Sequence, residues 1–423
     1  MPIYHGIRDI AAGWGTRGKE AWSPVGNVDR GRSGAWLAGI CPHREMPLDS
    51  GRRLRTLGRM PLKTTAGNHG AAAKGRGATT NPEGRFEKGS REPFDDEWFQ
   101  EPPEGGAAKP KTVITVEHAK SVISRHGSPD LGFSQSVNPY RGCAHGCSYC
   151  YARPSHAYLG LSPGLDFETR LFAKPEAARL LRQELARPGY RCEPIAIGTN
   201  TDGYQPIERE HRITRSVLEV LHETSHPVAI VTKSALVERD LDLLAAMARD
   251  GLVAVTISVT TLDSRLSARM EPRASAPARR VEAIRRLAQA GVPVGVNVAP
   301  VIPFLTDHEL ESILEAAAAA GASWAGWTLV RLPWEVKDVF RAWLEEHVPL
   351  KAAHVMARLN EMRGGRDNDP RFGTRFTGEG LLAGLLRRRM GVARRRLGLG
   401  RETPALACDR FRPPSPGRQM SLL

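Results

Sequence analysis

The chain has 423 residues, 41% of them hydrophobic, and its Gly 42 and Pro 31 fall well short of a collagen-like or wholly disordered composition. That length excludes one small module, and no run approaches the ~18 apolar residues of a membrane span. The N-terminus has no apolar signal core, so a cytoplasmic protein with no membrane partner is expected. Lys+Arg 60 against Asp+Glu 46 give +14, and six cysteines are too few for a disulfide framework.

The charge is uneven: residues 1–59 carry +5, 60–110 carry −1, 111–350 carry 0 and 351–423 carry +10. Three regions follow. Residues 1–110 read as a low-complexity, largely disordered N-terminal extension, rich in Gly, Pro, Arg and Ser without an apolar period. Within it, residues 92–104 (EPFDDEWFQEPPE) form an acidic patch able to dock Phe94, Trp98 and Phe99 on the domain. Met60 opens MPLKTTAGNHG and reads as an alternative start, which would leave 1–59 untranslated.

From 111 to 350, short Val/Ile-rich runs alternate with amphipathic helices, the signature of βαβ units and a parallel sheet. A first strand is expected near Gly132–Asn138, followed by Pro194–Gly198, Val228–Thr232, Leu252–Val259, Val292–Ala299 and Trp324–Val330. Between them, Ile213, Val217, Val220 and Leu221 share a helical face, as do Leu241, Leu244 and Met247, and then Val281, Ile284 and Leu287. Thr306-Asp-His-Glu309 reads as a capping box opening a helix through Leu310, Ile313 and Leu314. A last helix carries Val336, Val339, Phe340 and Trp343. Six consecutive β/α units favour a barrel or partial barrel, with the ligand site at the C-terminal strand ends.

The sharpest local pattern is Asn138-Pro-Tyr-Arg-Gly-Cys143-Ala-His-Gly-Cys147-Ser-Tyr-Cys150. Three thiolates on one tight loop can hold three irons of a cubane cluster and leave the fourth open to a small ligand. The alternatives are a zinc site completed by His145 or His156, or unligated thiols; zinc sites favour paired C-x2-C elements, and no second pair is present. Cys41, Cys192 and Cys408 are scattered singly.

These residues resemble the radical SAM superfamily, whose motif has this spacing with an aromatic, here Tyr149, before the last cysteine. SVNPYRGCAHGCSYCYARPSHAYLGLSPGLDFE, TDGYQPIER and ARMEPRASAPARR resemble the spore photoproduct lyase-like branch of largely uncharacterised bacterial proteins. The resemblance implies a partial (β/α)6 barrel. It also implies a [4Fe-4S] cluster on Cys143, Cys147 and Cys150, with S-adenosylmethionine on the open iron. Reductive cleavage of that cofactor to a 5′-deoxyadenosyl radical would abstract hydrogen from a substrate, with flavodoxin or ferredoxin as electron donor.

By position, Thr199, Asn200, Thr201 and Asp202 end the second strand where the family binds the methionine ammonium, although its common Gly-Gly-Glu is absent. Ser258 and Thr260 would meet the ribose or carboxylate, Arg273 the carboxylate, and Asn297 and Tyr149 the adenine. The branch's hydrogen-donating cysteine near the end of the second strand is missing from Ile197-Gly198-Thr199, and Cys192 lies before the strand. Repair of a thymine photoproduct by that donor is therefore not supported. Tyr204, just beyond the strand, is a candidate radical relay.

Residues 351–423 leave the barrel pattern. A glycine-rich basic loop, Arg363–Gly378, precedes a helix over Leu381–Leu397 in which Arg387–Arg389 and Arg394–Arg396 recur seven residues apart as a basic stripe. Such a stripe suits phosphate contacts. After a Pro-rich linker, Gln419-Met-Ser-Leu-Leu423 resembles the short peptide that docks repair proteins on the sliding clamp. The expected function is a radical enzyme acting on damaged or modified nucleic acid. The alternatives are modification of a protein or small metabolite, and a non-catalytic iron–sulfur nucleic-acid-binding protein.

Overall fold

The computed structural model describes residues 75–87 and 111–414. The acidic patch at 92–104, the segment before Met60 and the terminal Gln419–Leu423 peptide lie outside the described residues.

In chain order the strands are β1 (Val113–Val116), β2 (Ile123–Arg125), β3 (Gln135–Val137), β4 (Tyr140–Arg141), β5 (Arg170–Ala173), β6 (Ile195–Ile197), β7 (Val228–Thr232), β8 (Val253–Val259), β9 (Val294–Val301) and β10 (Trp324–Leu329). The helices are α1 (Asp166–Thr169), α2 (Ala177–Leu185), α3 (Glu208–His211), α4 (Ile213–Glu223), α5 (Leu241–Arg249), α6 (Ser264–Met270), α7 (Pro277–Gln289), α8 (Leu310–Ala319), α9 (Val336–His347), α10 (Pro349–Glu361) and α11 (Gly380–Arg396).

The main sheet runs β10-β9-β8-β7-β6-β3-β2. Its six strands from β3 to β10 pair in parallel and in chain order, and β2 adds an antiparallel edge. This is the architecture of a partial (β/α)6 barrel, and the sheet does not close. A bridge between Trp324 and Gly400 lays the returning chain along the β10 edge, where unpaired backbone groups would otherwise be exposed. A second sheet, β1-β5-β4, leads into the cysteine loop.

The pairing register sorts the side chains of the main sheet onto two faces, because directly paired residues point the same way. One face carries Val137, Ile197, Ile230, Val255, Ile257 and Val296, all fully buried in the core with Val217, Leu221, Leu244, Met247, Ile284, Leu287, Ile313 and Leu314 of the covering helices. The other face is concave and its rows are small or polar apart from Val231 and Trp324, whose ring lies over Gly295 and packs with Ala254 and Leu406. Ser136 is paired with Ala196, Ala196 with Ala229, and Ala229 with Ala254. Higher rows run Thr256, Gly295, Trp324 and then Ser258, Asn297, Gly326.

One local expectation is corrected. The capping box before α8 does not form: the Thr306 hydroxyl accepts the Ile302 N–H at 3.0 Å, and the Glu309 carboxylate accepts the Leu262 N–H at 2.6 Å and the Thr261 hydroxyl. The tertiary partners lie closer at hand than the helix's own first turn. The basic stripe of α11 is divided: Arg387, Arg388, Arg395 and Arg396 are exposed, while Arg389 and Arg394 are half-buried. Arg389 pairs with Glu311 on α8 at 2.6 Å, Arg396 pairs with Glu315, and Arg394 donates to the Ala325 carbonyl at 3.1 Å. In the preceding loop, Arg375 and Arg363 are buried, the first paired with Asp130 at 2.8 Å and the second donating to the Val330 and Arg375 carbonyls.

Candidate functional site: a three-cysteine loop over the concave face

The loop starts at β4 and is held by backbone contacts from all sides. The Cys143 N–H donates to Phe167 O at 3.0 Å, the Ser148 N–H to Met270 O at 2.9 Å, and the Arg273 N–H to His145 O at 3.2 Å. Gly146 sits at φ 68, and a Cβ there would stand 2.6 Å from Glu168 Oε2, so the turn admits no larger residue. Buried Arg153 fastens the far side. It donates to Cys147 O at 2.9 Å and Gly164 O at 2.8 Å and pairs with buried Glu168. Glu168 also accepts the N–H groups of Gly77 at 3.0 Å and Ala78 at 2.8 Å. Residues read from sequence as part of a low-complexity extension thus pack directly on the cysteine loop.

Cys143 and Cys147 are buried and Cys150 is partly so. Burial pushes the Cys143 thiol well up, reinforced by Asp202 and the other two thiols. It pushes Cys147 up to about 12, with Glu271 adding to the effect, and raises Cys150 against the pull of Arg153. Thiols in this setting become ligands only for a partner that brings positive charge. Among the described residues no three His, Cys, Asp or Glu side chains gather round one ion position. A mononuclear zinc site needs sulfurs about 2.3 Å from a common centre, whereas a cubane takes each thiolate on a different iron. His145 and His156 have other partners: His145 Nδ1 lies 3.3 Å from Asp202, and His156 Nε2 lies 2.9 Å from Arg170 O. Burial lowers His156 to about 4, so it is a neutral packed ring.

The residues after β6 brace the loop. Gly198 sits at φ 94, and a Cβ there would fall 1.9 Å from Val231 O. Thr199 Oγ1 donates to Asn138 Oδ1 at 3.3 Å, and the Asn200 N–H donates to the same oxygen at 3.0 Å. The Thr201 hydroxyl donates to Gly142 O at 2.6 Å. Gln205 accepts the Ala144 N–H at 2.8 Å and donates to Thr201 Oγ1 at 2.9 Å. Asp202 accepts from Thr232, the Lys233 N–H and the Tyr204 N–H at 2.7, 2.9 and 2.8 Å. Burial opposes its charge, but His145, the Lys233 N–H and the Thr232 hydroxyl overcome that and bring it down to about 2.

Tyr149, between two of the cysteines, is anchored from the opposite side. Its hydroxyl donates to Glu271 and lies 3.1 Å from Thr260 Oγ1. Thr260 contacts Glu271 at 2.7 Å and Ala299 O at 3.0 Å. Glu271 pairs with Arg280, which is fully buried and also donates to Ser258 O at 3.2 Å. Burial would raise the Glu271 carboxyl, yet Arg280 and Lys233 bring it down to about 2. This joins the cysteine loop to the C-terminal ends of β8 and β9.

The concave face below carries buried polar atoms that meet no protein partner: Ser136 Oγ, Asn297 Oδ1 and Trp324 Nε1. Buried polar atoms are seldom left alone, and of the three, Asn297 Oδ1 stands in the row nearest the cysteine loop. Of the residues singled out from sequence, Ser258 and Asn297 lie on this face as a directly paired couple, and Thr260 continues it. Arg273 is exposed, its guanidinium 3.3 Å from Thr112 Oγ1. Tyr204 is 1% exposed and lies against Arg239, and burial with nearby Asp240 pushes its phenol well up. Cys192 neighbours Cys408, and burial, then Cys408, pushes its thiol up to about 12.

Glu168, Gln205, Glu271 and Arg280 were not foreseen. Glu271 had a signal, its place in the Glu-Pro-Arg triplet, but nothing local tied it to Tyr149.

A profile of the radical SAM superfamily matches residues 137–317. An uncharacterised protein of Mycobacterium tuberculosis is 39% identical over 234 residues, 55% of this chain and 68% of its own length. A radical SAM Nα-GlyT isomerase of Pseudomonas phage M6 is 24% identical over 194 residues, 45% of this chain and 38% of its own. Among solved structures, spore photoproduct lyase complexed with dinucleoside spore photoproduct aligns with a TM-score of 0.50 at 17% identity, covering 68% of this chain and 80% of that one. That likeness is one of fold.

Proposed function

Because the chain belongs to the radical SAM superfamily, we propose that Cys143, Cys147 and Cys150 hold its [4Fe-4S] cluster and that its substrate is a damaged or modified nucleic acid. It is a radical SAM enzyme whose cofactors are the cluster and S-adenosylmethionine. The observation that carries the assignment of ligands is the donor set: two buried thiols and one partly buried on one braced loop, over a concave face of mostly small and polar residues. When bound, the cluster and S-adenosylmethionine supply a 5′-deoxyadenosyl radical able to remove a hydrogen atom.

The protein's own residues do the placing. Gln205 and Thr201 hold the loop's backbone, and Arg153 with Glu168 holds its far side. The Tyr149–Glu271–Arg280 chain locks the loop to β8. Ser258 and Asn297 are the residues through which the face would hold the nucleoside part of S-adenosylmethionine, with the unpartnered Asn297 Oδ1 as acceptor, whereas the Thr260 hydroxyl is taken by Tyr149, Glu271 and Ala299 O. Thr199, Asn200, Thr201 and Asp202 would act mainly by bracing, since their polar groups already have protein partners. Arg273, at the loop's rim, would meet a carboxylate only from outside. Tyr204 is packed against Arg239 and is a poor relay.

The nucleic-acid reading is supported by spore photoproduct lyase, which has the same fold and is seen with a dinucleoside photoproduct. Reduced flavodoxin or ferredoxin is the proposed electron source and the cytoplasm the proposed location; no helix among the described residues is long and apolar enough to cross a membrane. The test is anaerobic reconstitution with nucleic acid deuterated in base and sugar. Deuterium in 5′-deoxyadenosine supports the reading. Turnover of S-adenosylmethionine with no deuterium from DNA or RNA would point to a protein or metabolite substrate.

A further inference from the structure

Two large aromatic side chains stand exposed on the loops that leave the C-terminal ends of neighbouring strands. Phe304 follows β9 and is 50% exposed; Trp334 follows β10 and is 47% exposed. Both sit at positive φ, 65 and 48, a conformation that bulky residues rarely take and that persists only where the surroundings hold it. Each ring is also braced from its own side. The Arg85 guanidinium lies 4.1 Å from the Trp334 ring centre and is fixed by Glu335 at 2.7 Å. His354 lies 4.0 Å from the Phe304 ring, and Lys351 Nζ 5.9 Å from it. A scattered surface apolar residue needs no explanation, but two braced rings in a left-handed backbone at one rim do.

Beside Phe304 is a cavity of about 570 Å³ bounded by α6, the loop after β9 and the start of α10. Its cations are Arg265, Arg269 and Lys351. Its carboxylates are Asp263 and Glu309, and both are engaged within the fold. Asp263 caps α6 by accepting the Arg265 N–H at 2.7 Å, and Glu309 accepts the Leu262 N–H and the Thr261 hydroxyl. The groove thus has one more cation than carboxylates, and Arg265, Arg269 and Lys351 are all exposed. It also adjoins the site, because Thr261 touches Glu309 while the preceding Thr260 touches Tyr149 of the cysteine loop.

We propose that this rim, Phe304 and Trp334 with Arg265, Arg269 and Lys351, is a docking track for an unpaired nucleic-acid strand. The bases stack on the exposed ring faces while the cations meet phosphates, the pairing that single-strand binding surfaces use. A duplex would hide its base faces from the rings, whereas an unpaired strand offers base faces and phosphates together. The proposal rests on the nucleic-acid reading above and narrows it to strands whose bases are unstacked, as they are at a lesion or in a loop.

The test uses full-length protein with reconstituted cluster and a fluorescein-labelled single-stranded oligothymidylate, followed by anisotropy. Phe304→Gly and Trp334→Gly should each weaken binding by about tenfold. Glycine takes positive φ more readily than the native residues, so a loss of binding with an unlowered melting temperature is not a loss of fold. Phe304→Trp should bind as tightly as the native protein. Arg265→Glu with Arg269→Glu should flatten the salt dependence of binding by roughly one to two phosphate contacts. Glycine variants that bind like the native protein overturn the track, as does a duplex bound as tightly as the single strand. If those variants bind normally and deuterium still passes from nucleic acid to 5′-deoxyadenosine, the track alone falls. If the native protein neither binds nor takes deuterium from any nucleic acid, the substrate reading falls with it.

Discussion

Glu271→Ala is the substitution whose cost can be worked most fully. The Glu271 carboxyl is buried and held at about 2 against an ordinary 4.5, which is worth about 3 kcal/mol of folding free energy at neutral pH. A depressed carboxyl contributes fully above its unfolded value, and the contribution is lost as pH falls from 4.5 towards about 2. Removing one partner of a buried pair independently predicts about 3–5 kcal/mol, because Arg280 keeps its charge in a fully buried position. We expect Glu271→Ala to lower the melting temperature by about 4–7 °C, measured by calorimetry near pH 7. The double change Glu271→Leu with Arg280→Met should recover at least about 2 kcal/mol of that loss. Thr260 then still reaches Ala299 O at 3.0 Å, and Tyr149 still reaches Thr260. Single costs that simply add, to within about 0.5 kcal/mol, would refute the idea that this pair is coupled.

Alanine at Cys143, Cys147 or Cys150 should leave folded protein that retains little iron after anaerobic reconstitution, whereas Cys192→Ala should load iron normally; iron and sulfide assays distinguish them, and an iron-free Cys192 variant would contradict the ligand set. Asn297→Ala removes an oxygen without a protein partner, so thermal stability should change by less than about 0.5 kcal/mol while S-adenosylmethionine affinity falls about tenfold by titration calorimetry. A large stability loss with unchanged affinity would make that side chain structural. Burial holds His156 and His226 at about 4 against an ordinary 6.5, so the unfolded chain binds protons there first and stability falls as pH drops through that window, by about 3 kcal/mol for each fully shifted ring. His226→Asn should remove about half of that slope in urea titrations at a series of pH values.

What the sequence made legible was what sits close together along the chain. The Val/Ile runs of β7, β8 and β9 and the helical faces of α4, α5 and α7 are local patterns, and they lie where the periodicity puts them. The cysteine spacing is local too. The second sheet escaped notice because β4 is two residues long and β1 has an exposed VITV with no alternation. α2 and α10 carry many polar and charged residues among their apolar ones and look like connecting chain, although Pro349 marks the start of α10. The braces of the site were hidden for a different reason. Glu271 meets a tyrosine 122 residues away, and the N–H groups of Gly77 and Ala78 meet a carboxylate about ninety residues on. Long-range pairing leaves no spacing to read. The arginines of α11 show a further limit: the regular basic pattern does not tell that Arg389, Arg396 and Arg394 meet Glu311, Glu315 and a backbone carbonyl while Arg388 and Arg395 stay exposed.

The concave face has a further implication. Ala196, Ala229 and Gly326 line it with almost no side-chain volume, while the residues that hold the sheet to its helices point the other way. Packing strength and pocket capacity are thus written on opposite sides of the same strands. Enlarging one of these small residues subtracts room from whatever is admitted without removing a contact that keeps the sheet and helices together. The size of the guest can drift between relatives while the scaffold and its cysteine loop stay the same.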